Sequence, residues 1–334
     1  MIIDGNALVH RAFHALPPLS TKDGKLVNAV YGFTTVLMKA LRELQPAYAA
    51  VTFDLPGPTF RDELYKEYKA TRVKQPQELY DQLPLVKQVV RAFGIPVVEK
   101  QGVEADDVIA TLSRTLAHSE TRKLETIIVT GDMDTLQLVD EQTKVYGFRQ
   151  GFSDTVIYDE AAVKERYGLA PSQMVDYKAL RGDPSDNISG VKGIGEKTAA
   201  TLLQEFNTLE NLYQHVAECK MKNAKPRTEL SSGTGVKCKI TDRVVELLEK
   251  GKDGALLGKK LVELKRDVPV EVTLEDCKLG KPDVKKLREL FEGFEFKNLV
   301  KRMDEEYGKS QGSLLNARNS PHPSLNLREG ASQN

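Results

Sequence analysis

Nine carboxylates fall in five short clusters of this 334-residue chain: Asp4; Asp54; Glu104, Asp106 and Asp107; Asp132 and Asp134; Asp183 and Asp186. Gathered by the fold, they would make an acidic cup. Two carboxylates about 4 Å apart repel by roughly 4 kcal/mol at an effective dielectric of about 20, so nine in one place need bound protons or bound cations. Hard divalent ions with oxygen ligands are the natural answer. A pair of such ions can hydrolyse a phosphodiester, one lowering the pKa of a bound water and the other stabilising the leaving oxygen. No histidine base is needed for that chemistry. His10 and His14 read as structural, and the five histidines are not grouped with the acids.

Each cluster also has a plainer reading. Asp4 and Asp54 follow apolar runs and, taken alone, are cap or turn residues. In Gly102-Val103-Glu104-Ala105-Asp106-Asp107, a helix would put Glu104 and Asp107 on one face with Asp106 just beside it, more acid than complementing a helix dipole requires. Asp132 and Asp134 suit either metal ligands or a helix N-cap, and Asp183 and Asp186 either ligands or a solvated Asx-rich loop.

The elements that must position these acids are legible as an alternation. Short apolar runs at Met1–Ile3, Tyr48–Phe53, Ile95–Val98, Thr126–Thr130 and Lys144–Tyr146 are separated by helical patterns at Val30–Leu44, Leu79–Phe93 and Ala105–Leu116. That order predicts an α/β domain with a mostly parallel central sheet flanked by helices, over residues 1–158. Asp4, Asp54 and Asp132 then lie at the carboxyl edge of the sheet, where such folds bind ligands. From residue 159 to 302 helical patterns dominate (Ala161–Tyr167, Ser172–Leu180, Lys197–Phe206, Thr241–Lys250, Pro282–Phe291), predicting a second, helical module with its own core. Residues 219–240 read as a solvated insertion and 303–334 as a disordered tail.

Two segments suit phosphate. Gly190-Val191-Lys192-Gly193-Ile194-Gly195-Glu196-Lys197 links two helical patterns; Gly193 and Gly195 permit a tight hairpin with open amides, and Lys192 and Lys197 add charge. It reads as a helix-hairpin-helix over 188–206 gripping a nucleic-acid backbone without reading bases. Phe60, Arg61, Tyr65, Tyr68, Lys69 and Arg72 interleave rings with cations. Lys69 and Arg72 would share a helical face able to meet a phosphate, and Tyr65 and Tyr68 could stack on an unpaired base; an amphipathic helix with a solvated basic face is the plainer account.

The totals permit this without requiring it. Lys plus Arg equals Asp plus Glu at 48 each, but residues 1–180 carry 21 basic and 24 acidic side chains while 181–302 carry 24 and 20. Cys219, Cys238 and Cys277 are widely spaced, which supports neither a disulfide framework nor a zinc site and fits a reducing cytoplasm. No apolar run is long enough for a membrane helix.

IDGNALVHRAFHALP at 3–17, AVYGF at 29–33, FRDELYKEYKATR at 60–72, EADDVIATL at 104–112, TGDMDTLQLV at 130–139 and RGDPSDNISGVKGIGEKTA at 181–199 closely resemble, in this order, the 5′ nuclease domain of bacterial DNA polymerase I, a member of the flap endonuclease superfamily. The resemblance, from residue 2 to about 302, implies a PIN-like 5′ nuclease fold and a structure-specific nuclease cutting DNA at 5′ flaps and 5′ ends, in replication and repair primer removal. It implies that the nine acids hold two Mg²⁺ or Mn²⁺ ions, with Asp106 and Asp107 among the catalytic residues. Lys69 and Arg72 would act on a helical arch near 58–82 that admits the 5′ strand, and Arg11 would approach the scissile phosphate. Phe60, Arg61, Tyr68, Gly190, Lys192, Gly193, Gly195 and Lys197 would join the DNA contacts, with potassium at the hairpin. Expected partners are flap or 5′-end DNA, RNA primer–DNA hybrids, and a polymerase and ligase acting in trans on a free-standing, monomeric, cytoplasmic, nucleoid-associated enzyme. The rivals are a non-catalytic DNA junction binder, whose signature would be missing acids, and a PIN-type ribonuclease, which does not need the 190–199 hairpin.

Overall fold

The computed structural model describes residues 1–119, 122–149, 151, 154–223 and 239–307. The chain divides into two compact units, Met1–Pro282 and Asp283–Asn334.

In the first unit the five apolar runs become β1 (Ile2–Asp4), β2 (Ala50–Thr52), β3 (Val97–Val98), β4 (Thr126–Val129) and β5 (Thr143–Phe148), and a sixth strand that the sequence reading did not include, β6 (Thr155–Tyr158), joins them. Ile3, Val51, Ile128, Val129 and Val145 are wholly buried, because helices cover both faces of a parallel sheet and leave no reason for polar alternation. The strand order is β3-β2-β1-β4-β5-β6, and every pairing is parallel except that of β5 with β6. β1 pairs with β2 on one side and β4 on the other, so the direction of winding reverses there. A crevice at the carboxyl ends of the strands is expected at such a reversal.

The helices α1 (Gly5–Ala15), α2 (Asn28–Leu44), α3 (Phe60–Leu64), α4 (Gln77–Tyr80), α5 (Leu83–Ala92) and α6 (Ala105–Ala117) belong to the same half of the chain. α1 was not evident from periodicity. It starts directly from β1 because Asp4 caps it, Oδ1 accepting from the Ala7 amide at 2.9 Å. No arch helix spans 58–82. Residues 66–71 are consecutive turns between α3 and α4, and Lys69 has φ +55°, a left-handed value that no residue of a right-handed helix adopts.

The helical half contributes α7 (Glu160–Tyr167), α8 (Met174–Arg181), α9 (Glu196–Phe206), α10 (Leu209–Asn223), α11 (Asp242–Lys250) and α12 (Lys252–Val262). It shares a core with the sheet. One continuous set of buried side chains runs from Ile2, Val108 and Val145 through Met174 and Leu203 to Leu248; each such residue contributes about 1.5–3 kcal/mol by leaving water. α10 continues to Asn223, into the span read as an insertion, of which 224–238 lies outside the described residues. Cys277 is free and buried.

The second unit holds α13 (Val284–Gly293) and α14 (Lys297–Tyr307). Leu287, Phe291, Leu299 and Met303 are its fully buried side chains. α14 reaches five residues past the expected start of the tail, and residues from 308 on lie outside the description.

Candidate active site

Eight of the nine acids line two adjoining hollows at the carboxyl edge of the sheet. One is walled by Asp4, Asn6, His10 and Asp54, the other by Asp134, Asp183, Ser185, Asp186 and Lys178. Lys69, Arg72, Glu104, Asp106 and Asp132 belong to both, so the two form a single elongated cup.

Backbone geometry places each acid. The second carboxylate oxygen of Asp4 accepts from Thr130 Oγ1 at 2.7 Å, which ties the end of β1 to the end of β4. Asp54 Oδ1 accepts the Ala105 amide at 2.7 Å and so anchors the start of α6. Asp132 caps the short helix Met133–Leu138, accepting from Asp134 N at 2.8 Å. Asp183 accepts from the Ser185 amide at 3.0 Å. Capping and a place on the cup wall are therefore compatible: these side chains are oriented by backbone or hydroxyl donors and still line the hollows.

The cup's charge is partly balanced by cations from the chain. Lys178 Nζ bonds both Asp134 and Asp183, Lys69 Nζ bonds Glu104, and Arg72 Nη2 reaches Asp186 at 2.5 Å. Burial and then repulsion from Asp132 and Asp54 push the Asp4 carboxyl up to about 7. Burial and the neighbouring carboxylates likewise hold Asp106 well above the usual range, and burial raises Asp132. Burial works against Asp183 too, but Lys178 and Ser185 outweigh it and hold that group at about 2.

Among the described residues no three Asp, Glu, His or Cys side chains already surround a single point. The donor set nevertheless suits a hard divalent cation: it is all oxygen, and burial raises the pKa of three of its members, Asp4, Asp106 and Asp132, a cost that a bound cation would offset.

Five expected site residues are engaged differently from the expectation, two of them, Arg61 and Tyr68, on the wall of the cup itself. Asp107 is wholly buried and forms a bidentate ion pair with Arg61. As the third residue of α6 it also accepts the Glu104 amide at 3.2 Å, the reciprocal bond of a capping box. It is thus not a cup ligand. Arg61, 1% exposed, borders the cup, but its guanidinium is taken up by Asp107. Tyr68 is not free to stack on a base, because it is buried with its single hydroxyl proton shared between Glu104 at 3.1 Å and Asp186 at 3.0 Å. Phe60 is half-buried, its ring under Lys265 Nζ at 3.6 Å. Arg11 donates from Nε and Nη2 to the Gly151 carbonyl at 3.1 and 3.0 Å and does not line the cup.

Sequence reasoning missed Lys178 and set His10 aside. Lys178 precedes Asp183 by five residues on a helix that ends two residues before it, a spacing that could have flagged it. His10, in α1, walls the same hollow as Asp4 and Asp54, so one histidine does stand with the acids; burial lowers its pKa.

The hairpin between α8 and α9 is present. Gly190 has φ +60°, and a Cβ there would lie 2.3 Å from Gly182 N, so only glycine fits. Gly193 has φ +94°. Gly195, by contrast, has an ordinary φ of −93° and open space around it. Lys192 and Lys197 are exposed.

The family model of the 5'-3' exonuclease N-terminal resolvase-like domain matches residues 1–168, and that of the 5'-3' exonuclease C-terminal SAM fold matches 169–285. The chain belongs to the 5′-3′ exonuclease family. DNA polymerase I of Caldicellulosiruptor bescii is 41% identical over 305 residues, covering 91% of this chain and 33% of that protein. For DNA polymerase I of Bacillus caldotenax the figures are 40% over 314 residues, 94% and 33%. The chain spans about a third of the length of these relatives. Among solved structures, the T5 D15 protein co-crystallised with metal ions superposes with a TM-score of 0.60 at 17% identity, covering 92% of this chain and 97% of that one. The catalytic core of Rad2 in complex with DNA substrate gives 0.58 at 17%, covering 92% and 91%. These two share the fold with this 5′-3′ exonuclease family member.

Proposed function

We propose that the protein is a divalent-metal-dependent 5′→3′ exodeoxyribonuclease and flap endonuclease that hydrolyses DNA at 5′ flaps and 5′ ends. The observation that carries this is the cup itself: eight carboxylates from distant parts of the chain meet at the carboxyl edge of a parallel sheet, with Lys69 and Arg72 among them. Membership of the 5′-3′ exonuclease family and the metal ions and DNA in the T5 and Rad2 structures support it.

Asp4, Asp54, Glu104, Asp106, Asp132, Asp134, Asp183 and Asp186 would hold Mg²⁺ or Mn²⁺. Bound there, such ions supply an activated water and screen the charge of a phosphodiester. Lys69 and Arg72 neutralise negative charge that develops on the phosphate. Burial and the adjacent Glu104 and Asp186 raise the Tyr68 pKa, so its hydroxyl stays a donor and holds those two carboxylates in place. Lys192 and Lys197 grip the duplex backbone beyond the cup. A junction binder without catalysis would not need so complete a set of acids.

The test is a labelled 5′-flap duplex incubated with and without Mg²⁺ or Mn²⁺. Metal-dependent cleavage is expected, reduced by at least about a hundredfold in Asp106→Asn with DNA affinity nearly unchanged. Absence of cleavage with either ion, or wild-type rates in Asp106→Asn, would overturn the assignment.

A further inference from the structure

A second hollow opens from the end of the cup that carries Asp134 and Asp183. It is a groove of about 510 Å³ between α7, α8 and the first turn of α9. Lys178 and Met133 belong to its wall and to that of the cup, so the two are continuous. Its polar lining is Arg166, Tyr167, Tyr177, Lys178, Arg181 and Lys197, with Glu196 the one carboxylate.

The cations are held ready. The Arg166 guanidinium donates to the Tyr158 hydroxyl and lies 5.4 and 5.3 Å from the ring centres of Tyr158 and Tyr167. Arg181 sits 6.0 Å from the Tyr177 ring centre and pairs with Glu196 at 2.9 Å. Tyr167 and Tyr177 brace each other edge to face, 6.0 Å apart. A guanidinium resting against a ring loses little further freedom on binding and still presents N–H groups along its outer edge, the fork that matches a phosphate. Arg166, Arg181 and Lys197 are all exposed.

We infer that this groove binds the sugar-phosphate backbone of the DNA strand that runs from the acidic cup toward the hairpin. The inference rests on the nuclease reading above. An acidic cup repels the polyanion it must cut, and a row of cations beginning at its rim offsets that repulsion where the strand leaves. Lys178 marks the cup end of the row and Lys197 the hairpin end. Tyr167 gives a half-buried ring between them, backed by the buried Tyr177, a combination of charge and aromatic surface that suits nucleic acid. The groove would act on the duplex side, so its contribution is independent of the flap.

The experiment compares wild type with Arg166→Ala/Arg181→Ala, with single Arg166→Gln as a milder variant at an exposed position. Affinity for a 5′-flap duplex and for the same duplex without a flap is measured in EDTA by fluorescence anisotropy from about 50 to 200 mM salt. The double variant is expected to lose roughly tenfold in affinity for both DNAs and to flatten the salt slope by about one to two units. In Mg²⁺ its KM rises while kcat stays within about threefold. Arg166→Lys/Arg181→Lys restores most of the binding. An unchanged salt slope and affinity in a folded double variant and in Arg166→Gln overturns the groove, as does a loss confined to kcat. If wild type itself neither binds nor cuts flap DNA, the nuclease reading fails; active wild type with an indifferent groove sinks this inference alone.

Discussion

Arg61 and Asp107 form a bidentate ion pair out of contact with water, Nη1 donating to Oδ2 at 2.7 Å and Nη2 to Oδ1 at 2.9 Å, the residues being 1% and 0% exposed. Every remaining polar edge is used. Arg61 donates from Nε to the Leu261 carbonyl at 2.7 Å and from Nη2 to the Glu263 carbonyl at 3.2 Å. Asp107 Oδ1 also accepts the Lys265 amide at 2.9 Å. The pair therefore joins α3, the start of the acid-bearing α6 and the chain leaving α12.

Removing one partner of such a pair strands a buried charge. Arg61→Ala is expected to lose about 3–5 kcal/mol of stability in urea unfolding, and Arg61→Lys to recover little of it, because an ammonium cannot span both carboxylate oxygens and two carbonyls. A fully stable Arg61→Ala with weakened DNA binding would instead return Arg61 to the DNA interface.

In the metal-free protein the acids should make stability fall as pH rises. Asp4 titrates near 7 when folded against 3.8 as a free side chain, and Asp106 and Asp132 are raised as well. Between those values the native chain keeps protons that the unfolded chain has released, so their stabilisation is full below the lower value and lost through the upper one. Asp183 acts in the opposite sense, but its window lies between about 2 and 3.8. In EDTA, Tm at about pH 5.5 should exceed Tm at about pH 8, and millimolar Mg²⁺ should shrink the difference. Asp106→Asn should raise Tm in EDTA at the higher pH and weaken the Mg²⁺ response. A Tm in EDTA that climbs over this interval would show that the acids do not repel one another.

Lys178 stands between Asp134 and Asp183 and is the charge that keeps them compatible without a metal. Lys178→Met should lower Tm in EDTA by several degrees, as expected for about 1–2 kcal/mol, and enlarge the stabilisation by Mg²⁺. Equal melting of variant and wild type in EDTA would remove this role.

The hairpin glycines separate by geometry. Gly190→Ala combines a positive φ with a backbone overlap and should cost at least about 1–3 kcal/mol, visible in urea unfolding and in lost duplex affinity. Gly195→Ala meets nothing within 4 Å and should cost less than about 1 kcal/mol. The reverse ranking would mean that the bound hairpin differs from the free one.

The five parallel strands and their order of appearance were legible because buried parallel strands leave unbroken apolar runs; Val51, Ile128 and Val145 are examples, whereas the half-buried antiparallel edge strand β6 was not read. Helix α1 was not, because its only strong signal, the cap at Asp4, coincides with the Asp-Gly pattern of a turn. Residues 65–72 were misread for a related reason: the spacing of Lys69 and Arg72 fits a helix face, yet the pull of Glu104 and Asp186 is satisfied from a string of turns.

The types of the acids and their separation along the chain, together with the glycine pattern of the hairpin, are written in the sequence, and they suffice to indicate carboxylate chemistry and a backbone-binding turn. Which carboxylates share a site is a matter of distance in space. Only the packed chain sends Asp107 inward to Arg61 while its neighbour Asp106 faces the cup, because on a helix adjacent side chains point about 100° apart. Only the packed chain brings Lys178 to Asp134 and His10 to Asp54, since no local pattern encodes a contact that depends on where another strand ends.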